Sequence, residues 1–418
     1  MPDQTRRETS QTSRQRTFRR RRIVVFTILG LFLVCVMYVT GSMLAPMPAT
    51  AAVTSHETSI AQPTAQLSWP GFGASAITAL DYPGVDDYHG TDQSLPIASM
   101  TKTITALVVL QKKPLKAGED GPTVTFTNAD VTIWNEVVAE GGSWAPVVAG
   151  TSMTERQALE AMLLPSANNY AISLANWAYG STGAYLTAAN AWIVSHGLSG
   201  THVVDASGLD PSSRSSTKDL IAIGKMVLAD PVLPSIVATK EATLPGAGDQ
   251  KNTNILLGVD GIDGIKTGNT DQAGNCLMFS ANIVIGPNTI RVLGVVVGAP
   301  SHDALWASVT TLLTSMRNGF HEVDAAIPGQ AFGTYTTVWG AKSKLVATAK
   351  KTFLVWSDTP IAVSIQTRPV QLGTAGEVVG QAVFTFNGKT ETAPLSLKSK
   401  LPDPGFWWRL AHPGGLGA

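Results

Sequence analysis

A short stretch near residue 100 constrains the fold and chemistry of this chain more than any other. Ser99 and Lys102 stand three residues apart at the start of an apolar helical pattern that includes Leu107. Residues i and i+3 share one helix face, so the hydroxyl and the amine can touch. Serine attacks a carbonyl when a base takes its proton, and a lysine of lowered pKa can be that base. The spacing predicts a nucleophile and its base, although a helix-capping Ser99 with a solvated Lys102 fits it too.

Composition and charge indicate a folded protein with membrane character. The chain has 418 residues, enough for two domains, with 44% hydrophobic and 14% charged residues. Its formal net charge of +0 conceals a division, because residues 1–22 contain eight Arg against two acidic side chains. The rest of the chain is therefore acidic on balance, which gives no support for a nucleic-acid partner.

The N-terminal region predicts export from the cytoplasm. Residues 1–22 form an Arg-rich cytoplasmic tail that we expect to be disordered, and residues 23–44 form an apolar segment of roughly bilayer-spanning length. The next basic residue after Arg22 is Lys102, so the positive-inside rule places everything after the apolar segment outside. A signal peptide cleaved after Ala51 is the alternative, and it also exports the remainder of the chain.

The remaining sequence divides into four regions. Residues 45–65, rich in Ala, Thr, Ser and Pro, are predicted to be a linker. Residues 66–325 alternate helices with short strands, then give a run of strands and a last helix, which predicts an α+β domain with an antiparallel sheet. Short strands over residues 326–400 predict a small all-β domain. The aromatic tail, residues 401–418, fits either a membrane interface or packing on the β domain.

Local signals mark several boundaries inside these domains. Thr154 and Gln157 have capping-box spacing at a helix start, and Ser216 is a candidate N-cap for a later helix. Residues 128–131 suggest a turn. Asn387-Gly388 between two apolar strands is a strong type I′ hairpin signal.

Two further motifs accompany the Ser-x-x-Lys pair. Ser166-Ala167-Asn168 lies on the turn between two predicted helices, and Lys266-Thr267-Gly268 begins a predicted edge strand of the main sheet. Each motif is common alone, but the three in this order are rare. They predict three walls of one catalytic cleft.

With these motifs the chain resembles the serine-type D-alanyl-D-alanine carboxypeptidases, the low-molecular-mass penicillin-binding proteins of the DD-peptidase/β-lactamase-like fold. The resemblance covers roughly residues 60–410 and includes the segments 202–209 and 263–277. Two positions depart from the family pattern. Asn269 stands where relatives often have His, and Asn169 stands where they often have an acidic residue.

The resemblance implies three catalytic residues. Ser99 would attack the carbonyl of the penultimate D-alanine and form an acyl-enzyme, with neutral Lys102 as general base. Ser166 would relay a proton to the leaving D-alanine.

The resemblance also implies five substrate-binding residues. Asn168 would hold a substrate amide, and Lys266 with Thr267 would bind the terminal carboxylate. Gly268 belongs to the same strand, and the backbone N–H of Asn269 would complete an oxyanion hole with that of the nucleophile. The expected partners are a peptidoglycan pentapeptide, β-lactam antibiotics as covalent inhibitors, and the membrane through the N-terminal segment.

No metal or other cofactor is expected, because the chain has no Cys/His cluster with zinc-ligand spacing. Of its two cysteines, Cys35 lies in the apolar segment, and Cys276 fits a buried strand position. Three alternative functions remain within the same fold: a β-lactamase, a DD-endopeptidase and a non-catalytic wall-binding scaffold. Glu241 is the only Glu between the second and third motifs and lacks the pattern of a class A β-lactamase loop.

Overall fold

The computed structural model describes residues 5–55, 58–80, 82 and 85–413. The chain divides into two compact units. The central unit is Pro63–His321, and the terminal unit combines Met1–Gln62 with Glu322–Ala418.

The terminal unit begins with a long helix, α1 (Thr5–Leu44). Disorder is predicted over residues 1–22, whereas α1 already begins at Thr5; residues 1–4 lie outside the described residues. No Gly or Pro occurs between Thr5 and Gly30, and the Arg, Gln and Glu of this stretch favour helix. Within the described residues, one helical segment, Arg16–Leu44, is long and apolar enough to cross a bilayer.

Two short strands lie in the segment predicted to be a linker. They are β1 (Val53–Thr54) and β2 (Ser59–Ile60). Val53 pairs with Thr334 and Ile60 with Ile361, both antiparallel. Edge pairing uses backbone N–H and C=O groups and needs no apolar periodicity, so the composition of residues 45–65 gave no sign of it.

A five-stranded antiparallel sheet forms the middle of the central unit. The strands of this unit are β3 (Ala74–Ala79), β4 (Asp86–Gly90), β5 (Leu95–Pro96), β6 (Thr123–Thr125), β7 (Ser152–Thr154), β8 (Arg214–Ser215), β9 (Glu241–Leu244), β10 (Gly248–Lys251), β11 (Ile262–Thr270), β12 (Gly274–Ile285) and β13 (Asn288–Ala299). The order of the large sheet is β11-β12-β13-β3-β4, so β11 is an edge strand. Gly268 of β11 pairs with Cys276 of β12. The predicted α+β fold class is confirmed.

Helices surround this sheet and supply most of the core. They are α2 (Thr101–Lys112), α3 (Asn128–Ala139), α4 (Glu155–Leu163), α5 (Asn168–Tyr179), α6 (Thr182–Ser195), α7 (Thr217–Ala229), α8 (Leu233–Val237) and α9 (His302–Gly319). A 3₁₀ turn, Ala98–Met100, leads into α2. Apolar side chains of α2, α4 and α5, such as Ile104, Leu159 and Leu174, are fully buried in one cluster. This packing fixes the start of α2 against the sheet.

Capping residues set the helix starts. The Thr154–Gln157 capping box and the Ser216 N-cap are confirmed. The turn predicted at residues 128–131 is wrong, because α3 begins there. Thr127 caps it in a box with Asp130, whose carboxylate accepts the Thr127 N–H. Asp at the third helical position replaces the usual Glu or Gln, which hides the signal.

The C-terminal part of the terminal unit is rich in strands. The first strand, β14 (Phe320–Ala326), begins two residues before the boundary at Glu322. The strands after it are β15 (Ala331–Thr336), β16 (Lys342–Ala347), β17 (Lys351–Trp356), β18 (Ile361–Thr367), β19 (Val378–Phe386) and β20 (Lys389–Leu397). A seven-stranded sheet has the order β1-β15-β16-β20-β19-β18-β2, and β14 pairs with β17. Asn387 and Gly388 join β19 to β20 with positive φ angles of 47° and 71°, as the type I′ signal predicted.

The aromatic tail contains a short helix, α10 (Phe406–Ala411). The Trp408 ring meets the Trp339 ring edge-on at 5.8 Å between centroids, while Trp407 is 79% exposed. Arg409 donates to the Met43 carbonyl at 3.0 Å, so the tail contacts the end of α1 within this unit. Residues 414–418 of the tail lie outside the described residues.

Candidate functional site

The candidate nucleophile lies on the 3₁₀ turn immediately before α2. Ser99 Oγ is 2.7 Å from Lys102 Nζ, and Lys102 is fully buried. The preceding residue, Ala98, has a φ of 46°, a left-handed conformation that is uncommon for a residue with a side chain. The turn and the helix together direct the hydroxyl and the amine toward each other.

Three oxygens surround the Lys102 amine. Nζ donates to Asn168 Oδ1 at 2.6 Å and to the Ser207 carbonyl at 2.9 Å, in addition to its contact with Ser99. Burial, and then the charge of Lys266, lower the pKa of Lys102 well below its usual value, while Asp205 acts in the opposite direction. The amine can therefore lose its proton at a lower pH than an exposed lysine, which favours its action as a general base.

The Ser-x-Asn motif joins α4 to α5. Ser166 has a φ of 65° and is almost fully buried, and Asn168 is the first residue of α5. The Asn168 N–H donates to the Ser143 carbonyl at 2.7 Å. A Cβ on Gly142 would lie 2.6 Å from Asn168 Nδ2, so this loop needs glycine to approach the motif.

The Lys-Thr-Gly motif lies on the edge strand β11. Lys266 is 2% exposed, and burial lowers its pKa to about 7. Its Nζ donates to Thr267 Oγ1 at 3.3 Å, and that hydroxyl is 2.6 Å from Thr253 Oγ1. A Cβ on Gly268 would lie 3.0 Å from the Ile97 carbonyl oxygen, so glycine allows β11 to pack closely against the turn that carries the nucleophile.

A cavity of about 170 Å³ brings these elements together. Five residues predicted from the sequence line it: Ser99, Ser166, Thr267, Gly268 and Asn269. The other three predicted residues, Lys102, Asn168 and Lys266, are buried. Lys102 and Asn168 reach the cavity through their contacts with Ser99 and with each other, and Lys266 reaches it through Thr267.

The other residues that line the cavity were not predicted as site residues. They are Ser143, Thr253, Cys276, His302, Leu305 and Trp306. His302 and Trp306, one turn apart at the start of α9, stack with 5.9 Å between ring centroids. Cys276 is buried as expected, and burial raises the pKa of its thiol to about 12. No group of three or more His, Cys, Asp and Glu residues suited to a metal ion occurs in the part of the chain that the structure describes.

Comparison with known proteins gives a family match. A model of the D-alanyl-D-alanine carboxypeptidases, peptidase family S11, matches residues 88–301, about half of the chain. D-alanyl-D-alanine carboxypeptidase DacA of Escherichia coli K12 is 29% identical over 338 residues, 75% of this chain and 79% of that protein. D-alanyl-D-alanine carboxypeptidase DacC of the same organism is 28% identical over 359 residues, 82% of this chain and 87% of that protein.

Solved structures agree on the fold. Penicillin binding protein 5 of Haemophilus influenzae superposes with a TM-score of 0.55 over 80% of this chain and 98% of its own, at 22% identity. The Streptomyces K15 DD-transpeptidase superposes with a TM-score of 0.52 over 59% of this chain and 98% of its own, at 27% identity.

Fold and sequence together define the class: this protein is a serine-type peptide hydrolase with the fold of the penicillin-binding proteins. More narrowly, the chain belongs to the D-alanyl-D-alanine carboxypeptidase family, peptidase family S11. The family resemblance recognised in the sequence is thereby confirmed.

Proposed function

We propose that this enzyme removes the terminal D-alanine from peptidoglycan stem peptides through an acyl-enzyme on Ser99, and that penicillins acylate the same serine. One observation carries the proposal. The Lys102 amine lies 2.7 Å from Ser99 Oγ in a fully buried position, with its pKa well below the usual value. A neutral amine at that distance is placed to take the hydroxyl proton.

The proposed reaction has two halves. Lys102 takes the Ser99 proton, Oγ bonds to the carbonyl carbon of the penultimate D-alanine, and the bond to the terminal D-alanine breaks. Ser166 passes a proton to the departing amine. Water then attacks the ester and restores the serine. The N–H groups of Ser99 and Asn269 receive the developing oxyanion, and the loss of one such donor costs about 3 kcal/mol.

The residues around the cavity suit a short peptide that ends in a carboxylate. Thr267 presents a hydroxyl beside the Lys266 ammonium, and a bound carboxylate would favour the charged form of that lysine. Asn168 is held between Lys102 and the loop at Gly142, where its amide can meet a substrate peptide group. Gly268 keeps the strand close enough for these contacts.

We propose the same domain roles and topology as the sequence suggested. Residues 66–325 form the catalytic domain, residues 326–400 form an accessory β domain, and the apolar segment of α1 anchors both outside the cytoplasm. The apolar helix near the N-terminus is consistent with an anchor or a signal segment. N-terminal sequencing of membrane and soluble fractions tests this: a protein that begins at Ala52 would contradict a retained anchor.

A second candidate is cleavage of peptide cross-links. A D-alanyl-D-alanine endopeptidase of Pseudomonas aeruginosa is 30% identical over 209 residues, 48% of this chain and 64% of that protein. The same Ser-Lys pair would serve that reaction, with a cross-linked peptide in place of the terminal D-alanine.

Rapid hydrolysis of penicillins is not expected. Glu241 lies on β9 and is exposed, and no Glu lines the cavity at Ser99 among the residues that the structure describes. The acyl-enzyme formed with a labelled penicillin should therefore persist for minutes. Fast release of hydrolysed drug would favour a β-lactamase.

The decisive experiment measures D-alanine release from a pentapeptide ending in D-alanyl-D-alanine. Wild type should release it and Ser99→Ala should not. Ser212→Ala, at an exposed position away from the cavity, is the matched control and should behave as wild type. A wild type that neither releases D-alanine from this peptide nor cleaves a cross-linked dimer into its two peptides would support the wall-binding scaffold instead.

A further inference from the structure

The Asp205 turn, residues 205–210, lies along the helix that carries Lys102. The Ser207 carbonyl accepts a hydrogen bond from Lys102 Nζ at 2.9 Å. The Ala206 carbonyl accepts one from Thr105 Oγ1 at 2.7 Å. Two consecutive carbonyls of the turn therefore accept hydrogen bonds from side chains on successive turns of α2.

Gly208 makes this contact very close. Its φ is +80°, and a Cβ there would lie 1.8 Å from the Ala98 carbonyl oxygen and 2.5 Å from Thr101 Oγ1. No side chain fits between the turn and the residue that precedes the nucleophile. Any displacement of the turn therefore reaches the Ser-Lys pair directly.

A single carboxylate holds the turn in shape. Asp205 Oδ1 accepts the Gly208 N–H at 2.7 Å and the Ser213 hydroxyl at 2.9 Å. Its Oδ2 accepts the Asp210 N–H at 3.0 Å and the Ser207 hydroxyl at 3.3 Å. Four donors converge on this side chain, so it determines where the Ser207 carbonyl points.

Charged and titratable groups approach Lys102 from three elements: β11, the Asp205 turn and α6. Lys266 on β11 lowers the pKa of Lys102, and Asp205 in the turn raises it. From α6, Tyr185 bonds Thr105 at 2.8 Å, and burial raises the pKa of that phenol, so it stays neutral. Asn168 on α5 is neutral as well. The lysine thus lies between one cation and one carboxylate of opposite effect.

We propose that Asp205 is a positioning residue for Lys102: its carboxylate holds the Ser207 carbonyl against the amine, and its charge opposes that of Lys266. The inference rests on the proposed function, because it assigns Lys102 as the base. Asp205 itself is not among the residues that line the cavity at Ser99. It acts by setting the fraction of Lys102 that is neutral at a given pH and the direction in which its amine points.

The sign of the effect follows from charge. Asp205→Asn removes a negative charge near the ammonium, which destabilises the protonated form and lowers the pKa of Lys102. Acylation requires the neutral amine, so the acid limb of its pH profile should move to lower pH. The plateau should fall, because an amine of lower pKa is a weaker base.

The test follows acylation by a fluorescent penicillin across pH in stopped-flow experiments. Asp205→Asn should shift the acid limb down by about one pH unit, which makes acylation below the limb up to about tenfold faster than in wild type. The matched control is Asp210→Asn in the same turn. Asp210 is exposed, its carboxylate accepts the Ser212 N–H at 2.8 Å, and its loss should leave the limb unmoved.

The outcomes separate the two proposals. An acid limb that coincides with that of wild type, or moves to higher pH, would overturn the role of Asp205. A wild type that is not acylated at any pH would overturn the proposed function itself. If Asp205→Asn does not fold, Asp205→Glu replaces it: the limb should stay and the plateau should fall, because the longer side chain displaces the Ser207 carbonyl. An unchanged plateau in that variant would contradict the positioning.

Discussion

Lys102 at the start of α2 and Lys266 on β11 are both buried, but their amines meet different surroundings. Lys102 Nζ has three oxygens within 3 Å and the repulsion of a second lysine. Lys266 Nζ has a long contact, to Thr267, and burial lowers its pKa to about 7. Two like charges in one cleft repel, so the lysine whose protonated form is less stable loses its proton first. The difference supports the roles that we propose, with Lys102 as the base and Lys266 as the cation that meets a carboxylate.

Removal of the base should have the largest effect. Lys102→Met keeps most of the volume but takes away the proton acceptor, so the rate of acylation should fall by about 10³- to 10⁴-fold. The melting temperature should fall by only a few degrees, because Met fills the buried site but does not donate to the Asn168 and Ser207 oxygens. Lys112→Met, on an exposed position of the same helix, is the control. A folded Lys102→Met that is acylated at the wild-type rate would remove the distinction between the two lysines.

Removal of the cation should act on binding. In Lys266→Met, KM for the pentapeptide should rise and kcat/KM should fall by about 10²-fold, since a charge-assisted hydrogen bond is worth up to about 3 kcal/mol. The pKa of Lys102 should rise without its cationic neighbour, so the acid limb of acylation should move to higher pH. A drop in kcat with unchanged KM would show that Lys266 takes part in the chemical step instead.

Two glycines allow each lysine to be perturbed from a distance. Gly142→Ala crowds Asn168, which contacts Lys102, and Gly268→Ala moves β11, which carries Lys266. Displacements of a few tenths of an ångström should lower kcat/KM by about tenfold in each. Steady-state kinetics on the pentapeptide should distinguish the two variants: Gly142→Ala should lower kcat, and Gly268→Ala should mainly raise KM. The same pattern from both would mean that the two sides of the cleft move as one.

Burial of Lys266 should also make stability depend on pH. An unfolded lysine keeps its proton to about pH 10.4, whereas folded Lys266 releases it near pH 7. Between these values the unfolded state binds more protons, so this lysine makes the free energy of unfolding rise with pH. Thermal melts of wild type and Lys266→Met should therefore diverge above pH 7, with the steeper rise in wild type. Parallel curves would indicate that Lys266 is not buried as the structure has it.

Local patterns carried most of the prediction. Ser-x-x-Lys spacing, the Thr154 box and the Asn387-Gly388 hairpin depend on residues a few positions apart, and these were readable. His302 and Trp306 enter the cavity at Ser99 from about 200 positions along the chain, through the packing of α9 on the sheet. No periodicity in the sequence predicts that residues so far apart along the chain line the same cavity. The four hydrogen bonds that Asp205 accepts could not be predicted either, because Asp is common in Gly-containing turns for local reasons.

The position of β1 limits the distance between the seven-stranded sheet and a bilayer that α1 would span. Eight residues separate Leu44, where α1 ends, from Val53, which is already paired in the seven-stranded sheet. That stretch reaches at most roughly 30 Å when fully extended. If α1 is retained in the membrane, the seven-stranded sheet therefore lies within that distance of the lipid surface. If the chain is cut after Ala51, β1 and β2 both remain on the released side, so the sheet keeps all seven strands in either form.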